Sequence, residues 1–276
     1  SVLRVNKAEI FINYPFANQH EFNSDLEGIV VKRSQFVPDD IEGVLIQLEI
    51  KNTGENQKEG VLIFTGHSDL RPTWLGERTE MNDSKDQASF DNDLQAWIVK
   101  DSLNPWYVAF GTNVNSTANA EGSVKDTQNG SSNRLNHRLI LEAGETQIIN
   151  YVIAGSYTDK DSVKNTYNKI LTNWSLLLEQ KKKRYEDLAN QSKLTIPDKE
   201  MQQAFEWLKY NCDWLVRTIP ELGTGIGAGI PDFPWYFGVD SEYALMGYMA
   251  IGQEETVYKT IQLLDSVSNA VNGNGK

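Results

Sequence analysis

The sequence is poor in cysteine and in histidine, and both shortages limit the chemistry that it can carry. Cys212 is the only cysteine among 276 residues, so the chain forms no disulfide within itself. A single cysteine in a helical pattern is typical of a small buried side chain. His20, His67 and His137 are far apart in the sequence and lack the spacing of a metal-ligand set. We therefore expect neither a metal site nor a cofactor.

Positive charge and long apolar runs are also scarce. The chain has 26 basic and 38 acidic residues, which give a formal net charge of -12 at pH 7. Because phosphate groups are bound by basic surfaces, this balance argues against nucleic acid as a partner. No window approaches the roughly 18 consecutive apolar residues that would span a membrane, so we expect no membrane partner. A removed signal peptide would be compatible with Ser1, so the compartment stays open, with a periplasmic or secreted location favoured over the cytoplasm.

The N-terminal part of the sequence has the pattern of β-strands. Apolar residues alternate with polar ones between Val44 and Ile50, which is the period of a strand with one buried face. About eight strand-like runs precede residue 158, with polar loops and no convincing helix between them. We predict an antiparallel β-sandwich domain over residues 1–157.

The hydrophobic period changes to that of a helix near residue 158. Val163, Tyr167 and Ile170 begin an apolar stripe on one long helix, which we interpret as a linker over residues 158–192. A helical domain is predicted over residues 193–276, with helices at 198–217, 241–250 and 254–268, the last two forming a hairpin. The predicted architecture is therefore two domains, β then α, joined by a linker helix.

The most unusual stretch of the sequence is Gly223–Leu245, GTGIGAGIPDFPWYFGVDSEYAL. Alternating glycines are followed by two prolines, a composition that we expect to keep the segment out of helix and sheet. Trp235, Tyr236 and Phe237 then form an unbroken aromatic triplet. Asp240 stands where the next helix is expected to start.

Aromatic rings beside a carboxylate are typical of a carbohydrate site. Three adjacent rings in a loop cannot all face one core, and exposed rings stack on the faces of sugars. A carboxyl group beside them can reach a glycosidic oxygen. The residues alone leave a structural alternative open, in which the rings fill a domain interface and Asp240 caps the next helix.

Three segments of the C-terminal part resemble a known family. They are Leu194–Arg217, Gly227–Leu245 and Gly247–Leu264, and their most specific element is P-W-x-F-G-x-D at residues 234–240. The segments resemble the six-hairpin glycosidases, and within them the bacterial proteins related to glycogen debranching enzymes with amylo-α-1,6-glucosidase-like domains. Debranching enzymes carry an arginine before the aspartate, where this chain has Val239. That difference leaves the cleaved bond and the substrate open.

The resemblance implies a fold, an activity and roles for named residues. The fold would be a toroid of paired helices of the (α/α)6 type. The activity would be debranching-type, inverting hydrolysis of α-linked glucans or oligosaccharides by two carboxyl groups. Asp240 matches the general acid of that family. Trp235, Tyr236 and Phe237 would bind substrate, and Asp232 would either bind substrate or brace the loop.

A toroid of six hairpins needs many more helices than the sequence predicts after the linker. We therefore expect an incomplete helical domain, with the general base beyond Lys276 and no activity in the chain alone. Its exposed apolar faces would be covered by self-association or by a missing C-terminal portion. The competing hypothesis is a non-catalytic carbohydrate-binding or assembly protein that uses the loop of Trp235, Tyr236 and Phe237.

Overall fold

The computed structural model describes residues 3–23, 27–72, 76, 80–123, 129–229 and 233–273. The chain divides into two compact units, Ser1–Lys181 and Lys182–Lys276. The order of elements is β then α, as predicted: antiparallel sheets come first, and four α-helices follow within the described ranges. None of these described helices is long and apolar enough to cross a membrane. The three-part division at residues 157 and 192 stays a prediction.

The first unit is built mainly from antiparallel strands. After a short 3-10 helix, Val5–Lys7, the described strands are β1 (Ile10–Asn13), β2 (Asn18–Phe22), β3 (Ile29–Phe36), β4 (Gly43–Asn52), β5 (Lys58–Ser68), β6 (Asp86–Asp91), β7 (Ala96–Asp101), β8 (Tyr107–Thr112), β9 (Thr117–Ser123), β10 (Ser131–Leu141) and β11 (Thr146–Ser156). One sheet has eight strands in the order β1-β2-β3-β4-β11-β8-β7-β6. The other has three, in the order β5-β10-β9.

The two sheets share one hydrophobic core. Leu48, Ile149 and Tyr151 of the large sheet pack in one cluster with Leu135 of the small sheet, and all four are buried. The ring of Phe64, on β5, stacks on the ring of Tyr151 with the centroids 4.3 Å apart. Burial of apolar area contributes about 25 cal/mol per Å² and therefore holds the sheets together. This core explains the alternating pattern of the sequence in β4.

Helix α1 (Lys160–Asn190) begins on the opposite face of the large sheet. Val163, Tyr167 and Ile170 are fully buried there, in a second cluster that includes Ile98. Because side chains alternate across a strand, Ile98 faces this cluster while its neighbour Trp97 faces the core between the sheets. The long helix predicted from the apolar stripe is present, and the stripe is what attaches it to the sheet.

The second unit contains the last turns of α1 and the elements α2 (Lys199–Trp214), β12 (Val216–Ile219), β13 (Gly223–Ile226), α3 (Gly238–Ala250) and α4 (Glu254–Asn272). Asp198 caps α2, because its Oδ1 accepts hydrogen bonds from the backbone amides of Glu200 and Met201 at 2.9 and 3.0 Å. Helices α3 and α4 are adjacent, as the predicted hairpin requires. Ile226 and Tyr248 are buried in the core of this unit.

The structure of the glycine-rich stretch contradicts one prediction made from the sequence. It was expected to stay out of sheet, but β13 pairs antiparallel with β12, and Arg217 lies opposite Gly225. Helix α2 consequently ends at Trp214 rather than at the predicted residue 217. The prediction was wrong because it treated glycine only as a breaker of regular structure. Here Gly223 has a φ of 117°, a conformation that glycine alone adopts easily, and it starts the returning strand.

Candidate functional site

The aromatic segment folds back on the chain that follows β13. The backbone amide of Ala228 donates a hydrogen bond to the carbonyl of Trp235 at 3.0 Å. Gly229 and Phe233 exchange two backbone hydrogen bonds, of 2.9 and 3.0 Å. These bonds fix the start of the triplet beside the end of the hairpin.

The three rings of the triplet have different surroundings. Trp235 and Tyr236 are half-buried, whereas the side chain of Phe237 is 40 % exposed. The phenol of Tyr236 donates a hydrogen bond to the backbone carbonyl of Arg217 at 2.8 Å, and burial raises the pKa of that phenol. The hydroxyl of Tyr236 is thus hydrogen-bonded to the protein's own backbone. Phe237 offers the most accessible ring of the three.

Asp240 lies in the first turn of α3, and it is exposed to solvent. The helix begins at Gly238 with Phe237 at the N-cap position, so Asp240 does not cap it as the structural alternative supposed. Within the described ranges, no side chain or backbone amide donates a hydrogen bond to its carboxylate. The carboxylate is therefore available to a ligand.

A pocket of about 280 Å³ lies beside Asp240. Its walls come from α2, from the residues after β13 and from α3, and they are mainly apolar, with Leu208, Leu215, Ile226, Ala244 and Ile251 among them. The phenol of Tyr248 also lines the pocket and donates a hydrogen bond to the carbonyl of Cys212 at 2.6 Å, which ties α3 to α2. Asp240 is thus a polar group at a largely apolar cavity.

The part of the chain that the structure describes contributes a single carboxylate to this pocket, that of Asp240. Glu242 is exposed on the same helix but does not line the cavity. Asp232 lies outside the described residues, so its role stays a prediction. Inverting hydrolysis needs two carboxyl groups about 6.5–9.5 Å apart. The described residues place one carboxylate at the pocket, that of Asp240.

Metal binding finds no support in the same ranges. Among the described residues, no group of three or more His, Cys, Asp or Glu side chains could hold a metal ion. His67 instead bonds through Nδ1 to the hydroxyl of Ser132 at 2.8 Å, and His137 bonds through Nδ1 to the carbonyl of Asn115 at 2.8 Å.

Two residues that were not predicted to belong to the site hold the aromatic segment in place. Arg217 donates from Nη1 to the carbonyl of Pro234 at 2.8 Å. Ser241 is only 2 % exposed and donates from Oγ to the carbonyl of Ile226 at 3.5 Å. Both bonds join parts of the chain that are distant in sequence, so no periodicity marks them. In the sequence, only the position of Ser241 directly after Asp240 could have indicated a role for it at the site.

Comparisons with known proteins bear on the fold. No protein-family model and no curated protein matches the sequence. A solved structure of a human-microbiome protein assigned as a kojibiose phosphorylase matches with a TM-score of 0.53 and 13 % identity, over 77 % of this chain and 28 % of that one. A bacterial glucoamylase complexed with acarbose matches with a TM-score of 0.57 and 10 % identity, over 92 % of this chain and 40 % of that one.

The chain has a glycosidase-like fold. At 10–13 % identity the likeness concerns the fold alone, and it extends over β and α parts together in the glucoamylase match. The chain spans less than half the length of each of these two proteins. Their activities and ligands therefore belong to them, and an activity of this chain has to be argued from its own residues.

Proposed function

We propose that this chain belongs to a glycoside hydrolase that acts on α-linked glucans or oligosaccharides. The observation that carries the proposal is the carboxylate of Asp240, which is exposed, has no donor among the described residues and lines a pocket. In the sequence it follows closely after Phe237, whose ring is exposed but does not line that pocket. The glycosidase-like fold and the resemblance to debranching-type proteins support the same class of activity.

In this proposal Asp240 is the general acid. Its protonated carboxyl group donates a proton to the glycosidic oxygen, and the bond between that oxygen and the anomeric carbon breaks, so the leaving sugar departs as an alcohol. A water molecule attacks the anomeric carbon from the opposite face and gives its proton to a second carboxylate. The configuration at the anomeric carbon is inverted. The proposal is supported by the position of Asp240, which is in the first turn of α3 and lines the pocket.

The described residues do not supply the second carboxylate of this mechanism. The resemblance puts the general base downstream of α4, and we propose that α2, α3 and α4 are the first helices of an (α/α)6 toroid. The pocket of about 280 Å³ lies just below the range of about 300–1,000 Å³ that is usual for small-molecule sites.

Substitution of the exposed ring tests the proposed site by binding. We expect Phe237→Ala to weaken the binding of maltose-type or isomaltose-type oligosaccharides by about 1–2 kcal/mol, because a stacked aromatic face is lost. Isothermal titration calorimetry on the full-length gene product measures the change. Tyr258→Ala is the matched control, since Tyr258 is an aromatic residue 62 % exposed on α4, outside the aromatic segment before Asp240. Equal affinities for wild type and Phe237→Ala, or equal losses in both variants, would contradict a stacking role.

A non-catalytic carbohydrate-binding or assembly protein is the second candidate. It is favoured by the single carboxylate at the described pocket and by exposed apolar side chains on α3 and α4, among them Val239, Tyr243, Met246 and Val271, each at least 68 % exposed. Self-association or a further portion of the protein would cover them. Measured hydrolysis of an α-linked oligosaccharide separates the two candidates, because a binding protein releases no reducing sugar.

A further inference from the structure

Two reciprocal hydrogen bonds tie the segment before Asp240 to strand β12. Arg217 donates from Nη1 to the carbonyl of Pro234 at 2.8 Å, and the phenol of Tyr236 donates to the carbonyl of Arg217 at 2.8 Å. Arg217 therefore donates one hydrogen bond and accepts another. Its two partners, Pro234 and Tyr236, stand on either side of Trp235 in the sequence. We call these two bonds the Arg217 clamp.

The ring of Tyr236 is fixed together with its hydroxyl. It lies over Gly225, which is the cross-strand partner of Arg217. A Cβ atom added at Gly225 would lie 3.1 and 3.2 Å from two atoms of the ring, closer than the 3.4–4 Å of ordinary contact. Glycine at this position therefore lets the ring pack on the hairpin, and this accounts for one member of the glycine alternation.

The clamp is connected to Asp240 through a short, well-anchored stretch of backbone. The carbonyl of Phe237 accepts a hydrogen bond from the amide of Ser241 at 3.0 Å, which closes the first turn of α3. The hydroxyl of Ser241 reaches the carbonyl of Ile226 at the end of β13. Asp240 is thus held between an anchor on β12 before it and an anchor on β13 after it.

We propose that Arg217 and Tyr236 are positioning residues for Asp240. They act through the backbone of residues 234–240, and the two bonds of the clamp go to backbone carbonyls rather than to a ligand. The consequence for catalysis rests on the proposed function, since the placement of Asp240 matters to a rate only if Asp240 transfers a proton. A misplacement of about 1 Å can lower a rate by about 10²-fold.

Kinetic measurements on the full-length gene product test the proposal. Tyr236→Phe keeps the ring and removes one bond of the clamp, and Arg217→Met removes the other. We expect kcat on maltose-type or isomaltose-type substrates to fall by about 10- to 100-fold with little change in KM, and to fall less on an activated aryl glucoside, whose leaving group needs little protonation. Arg217→Lys keeps a donor and should restore part of the rate. Tyr258→Phe, on α4, should leave the rate unchanged.

A loss of equal size on both substrates, or no loss, would overturn the proposal, because a misplaced acid must depend on the leaving group. Amide hydrogen exchange tests whether Arg217 and Tyr236 position the segment even if the wild-type protein hydrolyses no substrate. That result would contradict the proposed function but not the positioning role. Exchange of the amides of Ala228 and Ser241 should rise by about 2- to 13-fold in Tyr236→Phe, the factor for one lost hydrogen bond. Amides of α4 should be unaffected. Unchanged exchange at Ala228 and Ser241, or an equal rise in α4, would show that the clamp does not position the segment.

Discussion

Asp240→Asn is expected to lower kcat by about 10²–10⁴-fold on maltose-type or isomaltose-type substrates, the usual contribution of a general acid. An asparagine has nearly the same size as the aspartate but has no proton to donate to the glycosidic oxygen. The substrate's leaving group is a poor one, so it cannot depart without that proton. Steady-state release of reducing sugar by the full-length gene product measures the effect.

The leaving group provides the internal control for this variant. An activated aryl glucoside needs little protonation, so its kcat should fall much less in Asp240→Asn. Glu242→Gln is the matched control variant, because Glu242 is exposed on the same helix and does not line the pocket, and its activity should equal that of the wild type. Equal losses on both substrates, or no loss on either, would remove Asp240 from the role of general acid.

Tyr167→Ala is expected to have the largest effect on the stability of the first unit. Tyr167 is fully buried between α1 and the large sheet, with its hydroxyl beside Gly111. Removal of a buried aromatic side chain leaves a cavity and typically costs about 3–5 kcal/mol of the free energy of unfolding. Urea unfolding followed by circular dichroism measures the change.

A tyrosine at the edge of the same region serves as the comparison. Tyr157 precedes α1 and is 59 % exposed, so Tyr157→Ala should change the free energy of unfolding by no more than about 0.5 kcal/mol. If Tyr167→Ala and Tyr157→Ala lowered the free energy of unfolding by the same small amount, the packing of α1 on the large sheet would not stabilise the first unit as described.

The sequence predicts the strands that are rich in apolar residues. β4 and β11 lie at the centre of the large sheet and contribute buried side chains to the clusters on both of its faces. No strand was predicted at β2, β6 or β9, whose sequences, NQHEF, DQASFD and TANAEGS, carry few apolar residues. β6 and β9 also lie at the edges of their sheets. An edge strand has a single neighbouring strand and buries less surface, so its pattern is weak. Such strands form because a partner strand offers its hydrogen bonds.

The candidate site was predictable as a list of residues but not as an arrangement. Rare residue types placed Phe237 and Asp240 at the centre of the interpretation. Both are exposed in the structure, but only Asp240 lines the pocket. The β12–β13 hairpin and the Arg217 clamp could not be predicted, because they depend on hydrogen bonds between backbone groups and side chains that no local pattern records. The inward bond of the Tyr236 phenol is the clearest example.

The most direct test of the proposed activity is the anomeric configuration of the first product. The full-length gene product is mixed with a maltose-type or isomaltose-type oligosaccharide, and the released sugar is followed by proton NMR before mutarotation mixes the anomers. Asp240 as the acid of an inverting pair predicts that the β-anomer appears first from an α-linked substrate. Release of the α-anomer first, or release of no sugar from any α-linked glucan, would contradict the account.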